Sequence, residues 1–394
     1  AAQAADARAR AGVSLGPLDG VVVTIKDLFD VAGEVTRAGS KVLADEGQPA
    51  ACDAPIVRRL RAAGAVIVAK TNMTEFAFSA IGANPHFGTP GNPADRARVP
   101  GGSSSGAAVA VADRMCAIAI GSDTGGSVRI PASLCGITGF KPSRQRVPTE
   151  GAFPLSYTLD SIGPLATSVA DCAAADAVMA GEAPWPLDPA PLAGLRLGIA
   201  QGLPVEALDD TVGNRFAFAL ARLEKAGCRL SDERLPELDR MVALQTCAGI
   251  GVAEAYSIHQ ERLARRGGDV DPIVRARIAR GSNISSADYI QVMHERADLI
   301  HAFDARLADL DALVMPTTAI VAPRLDDVRE PEAFMARNAA LLRNTAIGNF
   351  FDLCGVSIPI PRDGGLPCGL MLLGRNGHDR RLLRIAAAVE KAFT

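Results

Sequence analysis

Strand-like and helix-like stretches alternate along this chain, and no other feature constrains its fold as strongly. Each kind of segment buries one apolar face, and in alternation the two stack as helices against a sheet. Val21 to Ile25 is a short β-branched run after Gly20 and predicts a buried strand. Pro55 then opens a helical stretch to Ala63, Gly64 stops it, and Ala65 to Ala69 predicts the next strand. Gly106 to Cys116 has helical pattern and leads into the apolar run Ala117 to Ile120. Ser168-Val-Ala-Asp171 has capping-box form and opens a helix that Gly181 can close. A connector containing Pro184, Pro186, Pro189 and Pro191 divides the chain near its middle. Strand character resumes at Leu195 to Ala200, and residues from about 211 to 309 carry helical pattern. Ala312 to Met315, Val356 to Ile360 and Leu370 to Leu373 predict late strands, and His378 to Phe393 a closing helix. The expectation is an α/β fold: a large mixed sheet covered on both faces by helices, with a helical insertion in the second half.

Composition narrows the classes of function. With 394 residues, 48% hydrophobic and 22% charged, the chain can fill a large core, and it reads as one domain. The net charge of -3, without a block of like charges, predicts neither a nucleic-acid surface nor a membrane patch. No apolar run reaches the ~18–20 residues of a membrane-spanning helix. The chain begins at Ala1 without Met, inside an alanine-rich helical stretch, so further residues are expected upstream. None of the eight cysteines forms a C-x-x-C pair, so they are expected as reduced core thiols of a cytoplasmic protein. The five histidines show no metal-ligand spacing, and zinc is not expected. No phosphate-binding or dinucleotide fingerprint is present, so no cofactor is expected.

Small residues concentrate in two loops. Pro100-Gly-Gly-Ser-Ser-Ser-Gly106 is followed, after the helix and the apolar run, by Gly121-Ser-Asp-Thr-Gly-Gly-Ser127. Glycine allows close backbone approach, and successive N–H groups in such loops can converge on an anion. Gly/Ser loops are also common connectors, so chemistry needs further residues. Gly102-Ser-Ser-Ser-Gly106 fits a G-x-S-x-G nucleophile elbow, but Asn92 to Pro100 before it is loop-like and the only late candidate for its histidine, His378, begins a helix. Asp123-Thr-Gly125 matches the aspartic-protease tripeptide, yet no second copy supplies the partner carboxylate. A third reading pairs a serine with a lysine.

The two loops, together with Val23-Thr-Ile-Lys-Asp27, resemble the amidase-signature family. Gly20 to Gly33, Lys70-Thr-Asn-Met-Thr-Glu-Phe76, Asn84 to Pro93, Asp160-Ser-Ile-Gly-Pro164, Gly355-Val-Ser-Ile-Pro359 and Gly365-Leu-Pro-Cys-Gly-Leu370 extend the likeness in order along the chain. It is strongest from 20 to 170 and loosest from 200 to 345, where substrates of the family differ. The resemblance implies a catalytic lysine at Lys26, a bridging serine at Ser103 after a cis Gly102–Ser103 peptide, and a nucleophile at Ser127. It implies an oxyanion loop at Thr124, Gly125, Gly126 and Ser127, and hydrolysis of a small amide. A second branch of the family acts as the amidase component of a tRNA-dependent amidotransferase. Leu342 to Thr345 lacks the acidic residue that goes with glutamine recognition in that branch.

Elementary chemistry agrees with the serine/lysine pair. A serine hydroxyl needs a base, and no histidine lies in these motifs. Lysine can serve only when neutral, and burial at the end of Val21 to Ile25 would lower its pKa from ~10.4. A lone lysine at a strand end would otherwise be a solvated side chain. Ser104, Asp123 and Arg129 are expected to support the loops, and His86 to make a loop hydrogen bond. Tyr289, Arg343 and Asn344 are candidate substrate contacts. Met73, Phe76 and the surroundings of Tyr157 are candidate pocket walls. Self-association is left open.

Overall fold

The computed structural model describes residues 1–183, 185–362 and 364–393, so Pro184 of the expected connector lies outside the described residues. Ten strands form one mixed sheet: β1 (Val22–Lys26), β2 (Val66–Thr71), β3 (Ile118–Asp123), β4 (Thr138–Lys141), β5 (Ser161–Ala166), β6 (Arg196–Ala200), β7 (Arg229–Glu233), β8 (Ala312–Pro316), β9 (Cys354–Pro359) and β10 (Gly369–Gly374). Their order across the sheet is β2-β1-β3-β5-β4-β9-β10-β8-β6-β7. β1 runs parallel to both β2 and β3, and β6 parallel to both β7 and β8. The strands between these wings pair antiparallel.

Alternate residues of a strand face opposite sides, and here both sides are covered. Ile118 and Ile120 of β3 join a core with Ile56, Val169 and Leu383, from the helices Pro55–Ala62, Val169–Ala180 and Asp379–Phe393. Ala119 between them joins a second core with Ala107, Val111 and Ala132, from the helices Ser105–Ala112 and Arg129–Cys135. The expected α/β sheet covered on both faces is therefore observed. Between β7 and β8 lie the helices Pro236–Cys247, Ile250–Arg266, Pro272–Ala279 and Ser286–Arg306.

Three strands and one long helix escape the sequence reading, each for a physical reason. β7 falls within the stretch expected to be helical; it is an edge strand of sequence Arg-Leu-Ser-Asp-Glu with no fully buried residue, so it carries no apolar run. β5 contains Pro164, a residue that ordinarily argues against an interior strand. β4 pairs with β5 only through Thr138 and Gly139, short of Pro164. At Gly163 a Cβ would lie 2.0 Å from the Phe140 carbonyl oxygen, so only glycine fits where these strands cross. The helix Pro331–Phe350 buries Asn338, Asn344, Thr345 and Asn349, a polar face that hides its helical period.

Two expectations from composition need correction. Six of the eight free cysteines are buried, but Cys52 and Cys247 are exposed, in a bend and at a helix end. Residues Pro236–Asp269 reach a mean hydropathy of 1.2 over a length that could cross a membrane. In the fold this stretch breaks at Ala248 into two helices, whose junction lines a cavity.

The expected cap is present: Ser168 Oγ accepts from the Asp171 backbone N–H at 3.1 Å, and Gly181 ends the helix at φ +76°. Ser168→Ala should cost about 1 kcal/mol. Urea titration should show that loss as a lower midpoint at unchanged slope.

Candidate active site

The parallel pairing of β1 with β3 sets the site. Their C-terminal ends lie at the same edge of the sheet, with Ile25 beside Ile120. This brings Lys26, the last residue of β1, against the end of β3. Lys26 is fully buried, and its Nζ donates to Ser103 Oγ at 2.7 Å and to Ser122 Oγ at 2.8 Å. Burial pushes its pKa down to about 7, against the opposing pull of the Asp160 and Asp123 carboxylates. Neither carboxylate forms an ion pair with it among the described residues. Lys141, at the end of β4, is also buried and pushed down to about 8, but it donates to the Pro142 carbonyl at 2.7 Å.

The first Gly/Ser loop is clamped from several sides. The Gly102–Ser103 peptide is cis. The Gly102 N–H donates to the Ala80 carbonyl at 2.7 Å, and the Thr74 N–H to the Ser103 carbonyl at 3.1 Å. Ser104 joins the two loops, its N–H donating to the Ser127 carbonyl at 3.3 Å and its Oγ to the Ser122 carbonyl at 3.3 Å. A Cβ at Gly121 would meet Ser104 Oγ at 2.7 Å, so the loops pack closely at this glycine.

The second loop leaves β3 and turns into the helix Arg129–Cys135. Asp123 and Arg129, both fully buried, form an ion pair at 2.9 Å. Asp123 also accepts from the N–H groups of Val128 and Arg129, at 3.1 and 3.3 Å, and from Asn349 Nδ2 at 3.0 Å. Burial alone would raise the Asp123 carboxyl, but the Arg129 guanidinium holds it at about 2. Thr124 Oγ1 donates to Asp160 Oδ1 at 2.5 Å, and burial raises that carboxyl to about 6. Thr345 Oγ1 donates to the Gly125 carbonyl at 2.6 Å. The backbone N–H groups of Gly125, Gly126 and Ser127 have no acceptor among the described residues. Gly126 holds φ +136°, and a Cβ there would lie 2.1 Å from Thr345 Oγ1.

Thr124, Gly125 and Ser127 line a cavity of about 260 Å³, whose apolar walls include Leu155, Leu159, Ile250 and Phe350. Lys26 and Ser103 are not among its walls; both are sealed from solvent. Of the candidate pocket walls, the surroundings of Tyr157 contribute Leu155 and Leu159, but Met73, Phe76 and Tyr157 itself fall elsewhere. Met73 and Phe76 are core residues, Phe76 stacking on Phe153, and Tyr157 is exposed. Of the candidate contacts, Asn344 is buried and donates to the carbonyls of Pro204 and Pro316, while Tyr289 donates to Glu254 at 2.6 Å. Arg343 donates to the Glu206 carbonyl. None of these three lines the cavity. His86 makes its loop contact, to Glu75 at 3.1 Å.

Sequence reasoning did not single out Ser122, Asp160 or Asn349 as site residues. Ser122 and Asp160 lay inside quoted motifs, and only spatial proximity to Lys26 distinguishes them. Asn349 lies more than two hundred residues away on a helix with no apolar signature. Among the described residues no group of histidine, cysteine and carboxylate side chains could hold a metal ion.

Comparison with known proteins gives one answer. A family model described as Amidase matches residues 1–383. The chain is 36% identical to 2-amino-5-chloromuconic acid deaminase of Comamonas testosteroni, over 99% of this chain and 85% of that protein. It is 35% identical to a component of the glutamyl-tRNA(Gln) amidotransferase of Symbiobacterium thermophilum, over 98% of this chain and 86% of that one. A solved structure described as an amidase superposes with a TM-score of 0.89 at 33% identity, over 100% of this chain and 89% of the other.

The buried ion pair behind the second loop makes a prediction of its own. Asp123→Ala leaves the Arg129 charge uncompensated and should cost about 3–5 kcal/mol. Pairing a neutral substitution at Asp123 with Arg129→Met should cost less than the sum of the two single changes. Urea unfolding of the four proteins checks this.

Proposed function

The chain belongs to the amidase family and is a hydrolase of C–N bonds; on that footing we propose that it cleaves a small linear amide through a serine acyl-enzyme. Ser127 is the nucleophile, Ser103 the proton relay and Lys26 the general base. The observation that carries this reading is the sealed Lys26 amine, 2.7 Å from a serine hydroxyl and shifted to about 7. An amine with that pKa is substantially neutral near pH 7 and can accept a proton from Ser103, which in turn accepts one from Ser127. Its contact with Ser122 then holds the amine in place.

In the proposed sequence Ser127 Oγ bonds to the amide carbonyl carbon as its proton passes through Ser103 to Lys26. The negative charge on the carbonyl oxygen is met by the unpaired N–H groups of Gly125, Gly126 and Ser127. The C–N bond breaks as the same relay returns the proton to the departing nitrogen, which leaves as ammonia or an amine. Water then attacks the acyl-serine, giving its proton to the relay. The free acid departs, and Ser127 recovers its hydrogen. Thr124 orients the loop through Asp160, and Asp123 with Arg129 fixes its base.

A second reading, the amidase component of a tRNA-dependent amidotransferase, draws on the likeness to the glutamyl-tRNA(Gln) amidotransferase chain. A free-standing amidase turns over amides without a partner, whereas that reading requires one. Turnover of small amides by the isolated chain separates the two.

Four outcomes test the mechanism. A fluorophosphonate should label Ser127, and labelling should disappear in Lys26→Ala; an adduct on Ser104 instead would sink the relay. Lys26→Ala should lower kcat by about 10²–10⁴-fold, and adding Ser127→Ala should lose little beyond either change alone. Because the base must be neutral, kcat/KM should rise about tenfold per pH unit below about 7 and level above it. Asp160→Asn removes a charge that favours the ammonium, so that limb should shift to lower pH.

A further inference from the structure

The proposed hydrolysis uses no cation in the cavity wall, yet two guanidinium groups stand there, those of Arg277 and Arg280. Arg277 lies on the helix Pro272–Ala279, and Arg280 opens the short turn that follows. Arg277 is half-buried, its guanidinium 4.5 Å from the ring centroid of Phe78. One of its nitrogens donates to the Phe78 carbonyl at 2.8 Å and to Asn338 Oδ1 at 3.2 Å. Its other two nitrogens have no acceptor among the described residues. No carboxylate pairs with Arg277 or Arg280 among those residues either.

That arrangement differs from that of Arg129, Arg146 and Arg296; Arg262 and Arg343 also have no carboxylate partner among the described residues, but neither lines the cavity. Arg129 faces Asp123, Arg146 faces Asp176, and Arg296 faces Asp352, each within ion-pair distance. A cation taken out of water without a counter-charge is costly, and the cost rises with a like charge nearby. Burial and the Arg280 charge together lower Arg277 to about 10, as expected for a guanidinium whose counter-ion is missing. Phe78 and Asn338 hold the group in one orientation, so it is prepared for an anion. The walls that share the cavity with Ser127 are largely apolar, including Leu155, Leu159, Ile250 and Phe350.

We infer that the substrate is an amide that also carries a carboxylate, which Arg277 holds through its free N–H groups with Arg280 adding charge, while an apolar segment spans to the scissile bond at Ser127. The planar guanidinium fork matches a carboxylate better than any neutral group. This rests on the hydrolytic reading of the same cavity and adds the substrate's class.

The test compares half-amides of linear dicarboxylic acids, from succinamate to adipamate, with the methyl ester-amide and diamide of equal length. The half-amide of best-fitting length should exceed its ester in kcat/KM by about 10- to 100-fold. Arg277→Gln should bring that ratio near one, and Arg277→Lys should retain part of it. Arg280→Glu, at an exposed position, should lower the ratio without threatening the fold. Equal rates on acid and ester, or an Arg277→Gln change that lowers both alike, would overturn the inference. Calorimetry of adipate and glutarate on Ser127→Ala reads the anion site without turnover. Binding of either dicarboxylate that disappears on adding Arg277→Gln supports the site even if no amide is hydrolysed and Ser127 is not labelled, which would defeat the hydrolytic reading alone. Absence of binding, or binding indifferent to Arg277→Gln, would defeat the anion site.

Discussion

The burial of one amine organises this site. Lys26 sits at the end of a strand whose last four residues, its own included, are all removed from water, and no carboxylate pairs with it among the described residues. Its charged form is disfavoured by that placement, so the hydroxyls of Ser103 and Ser122 become its partners. The placement follows from sheet topology. Parallel pairing puts the ends of β1 and β3 side by side, and the loops that leave those ends must then meet. An antiparallel β1 would carry Lys26 to the opposite edge, away from the loop containing Ser127. In this sense the parallel wing of an otherwise largely antiparallel sheet is the scaffold for the chemistry.

The second constraint is long-range. The loop 124–127 has little side-chain mass of its own, and its shape comes from residues far along the chain. Asp123 anchors the loop's entry and Arg129 its exit. Asn349 bonds to both, and Thr345 fixes the Gly125 carbonyl. The contact between Gly126 and Thr345 leaves no room for a Cβ. The same helix also supplies Asn338 to Arg277 and Phe350 to the cavity wall. The helix Pro331–Phe350 thus links the loop that would stabilise an oxyanion to the wall that would meet substrate. A change on its polar face would be felt at both.

Much of this was legible in the sequence. The apolar strand ending in Lys26, the two Gly/Ser loops and the capped helix at Ser168 all lie where local pattern placed them, within a few residues. Local pattern works there because each segment pairs one apolar face with a clear stop signal. It failed where burial is polar or the strand is exposed. Asn349 and Thr345 are buried through hydrogen bonds, which leave no hydrophobic period. Pro164 and Gly163 disguise β5, whose extended form is imposed by β3 and β4 on either side. The cavity walls were assigned only in part, for a related reason. Met73 and Phe76 are apolar and close in sequence to the lysine motif, but they pack into the core. The walls come instead from Ala77 to Ala80 just beyond them, from Leu155 and Leu159, and from the second-half helices, and no local signal tells a cavity-facing apolar residue from a core one.

The comparison between Lys26 and Lys141 shows what burial does and does not supply. Both lie at strand ends, both are sealed, and both are pushed well below an ordinary lysine. Lys141 donates to a carbonyl oxygen, a group with no proton to give. Deprotonation there would only weaken that hydrogen bond by removing its charge. Lys26 faces two hydroxyls, which accept from it or donate to it as its charge changes. A lowered pKa makes either lysine a base in the thermodynamic sense. Only Lys26 has a neighbour through which a proton can arrive, and that neighbour, Ser103, belongs to the loop that Ser104 ties to Ser127. The assignment of the base therefore depends less on how far its pKa falls than on the chemistry of the atoms it touches.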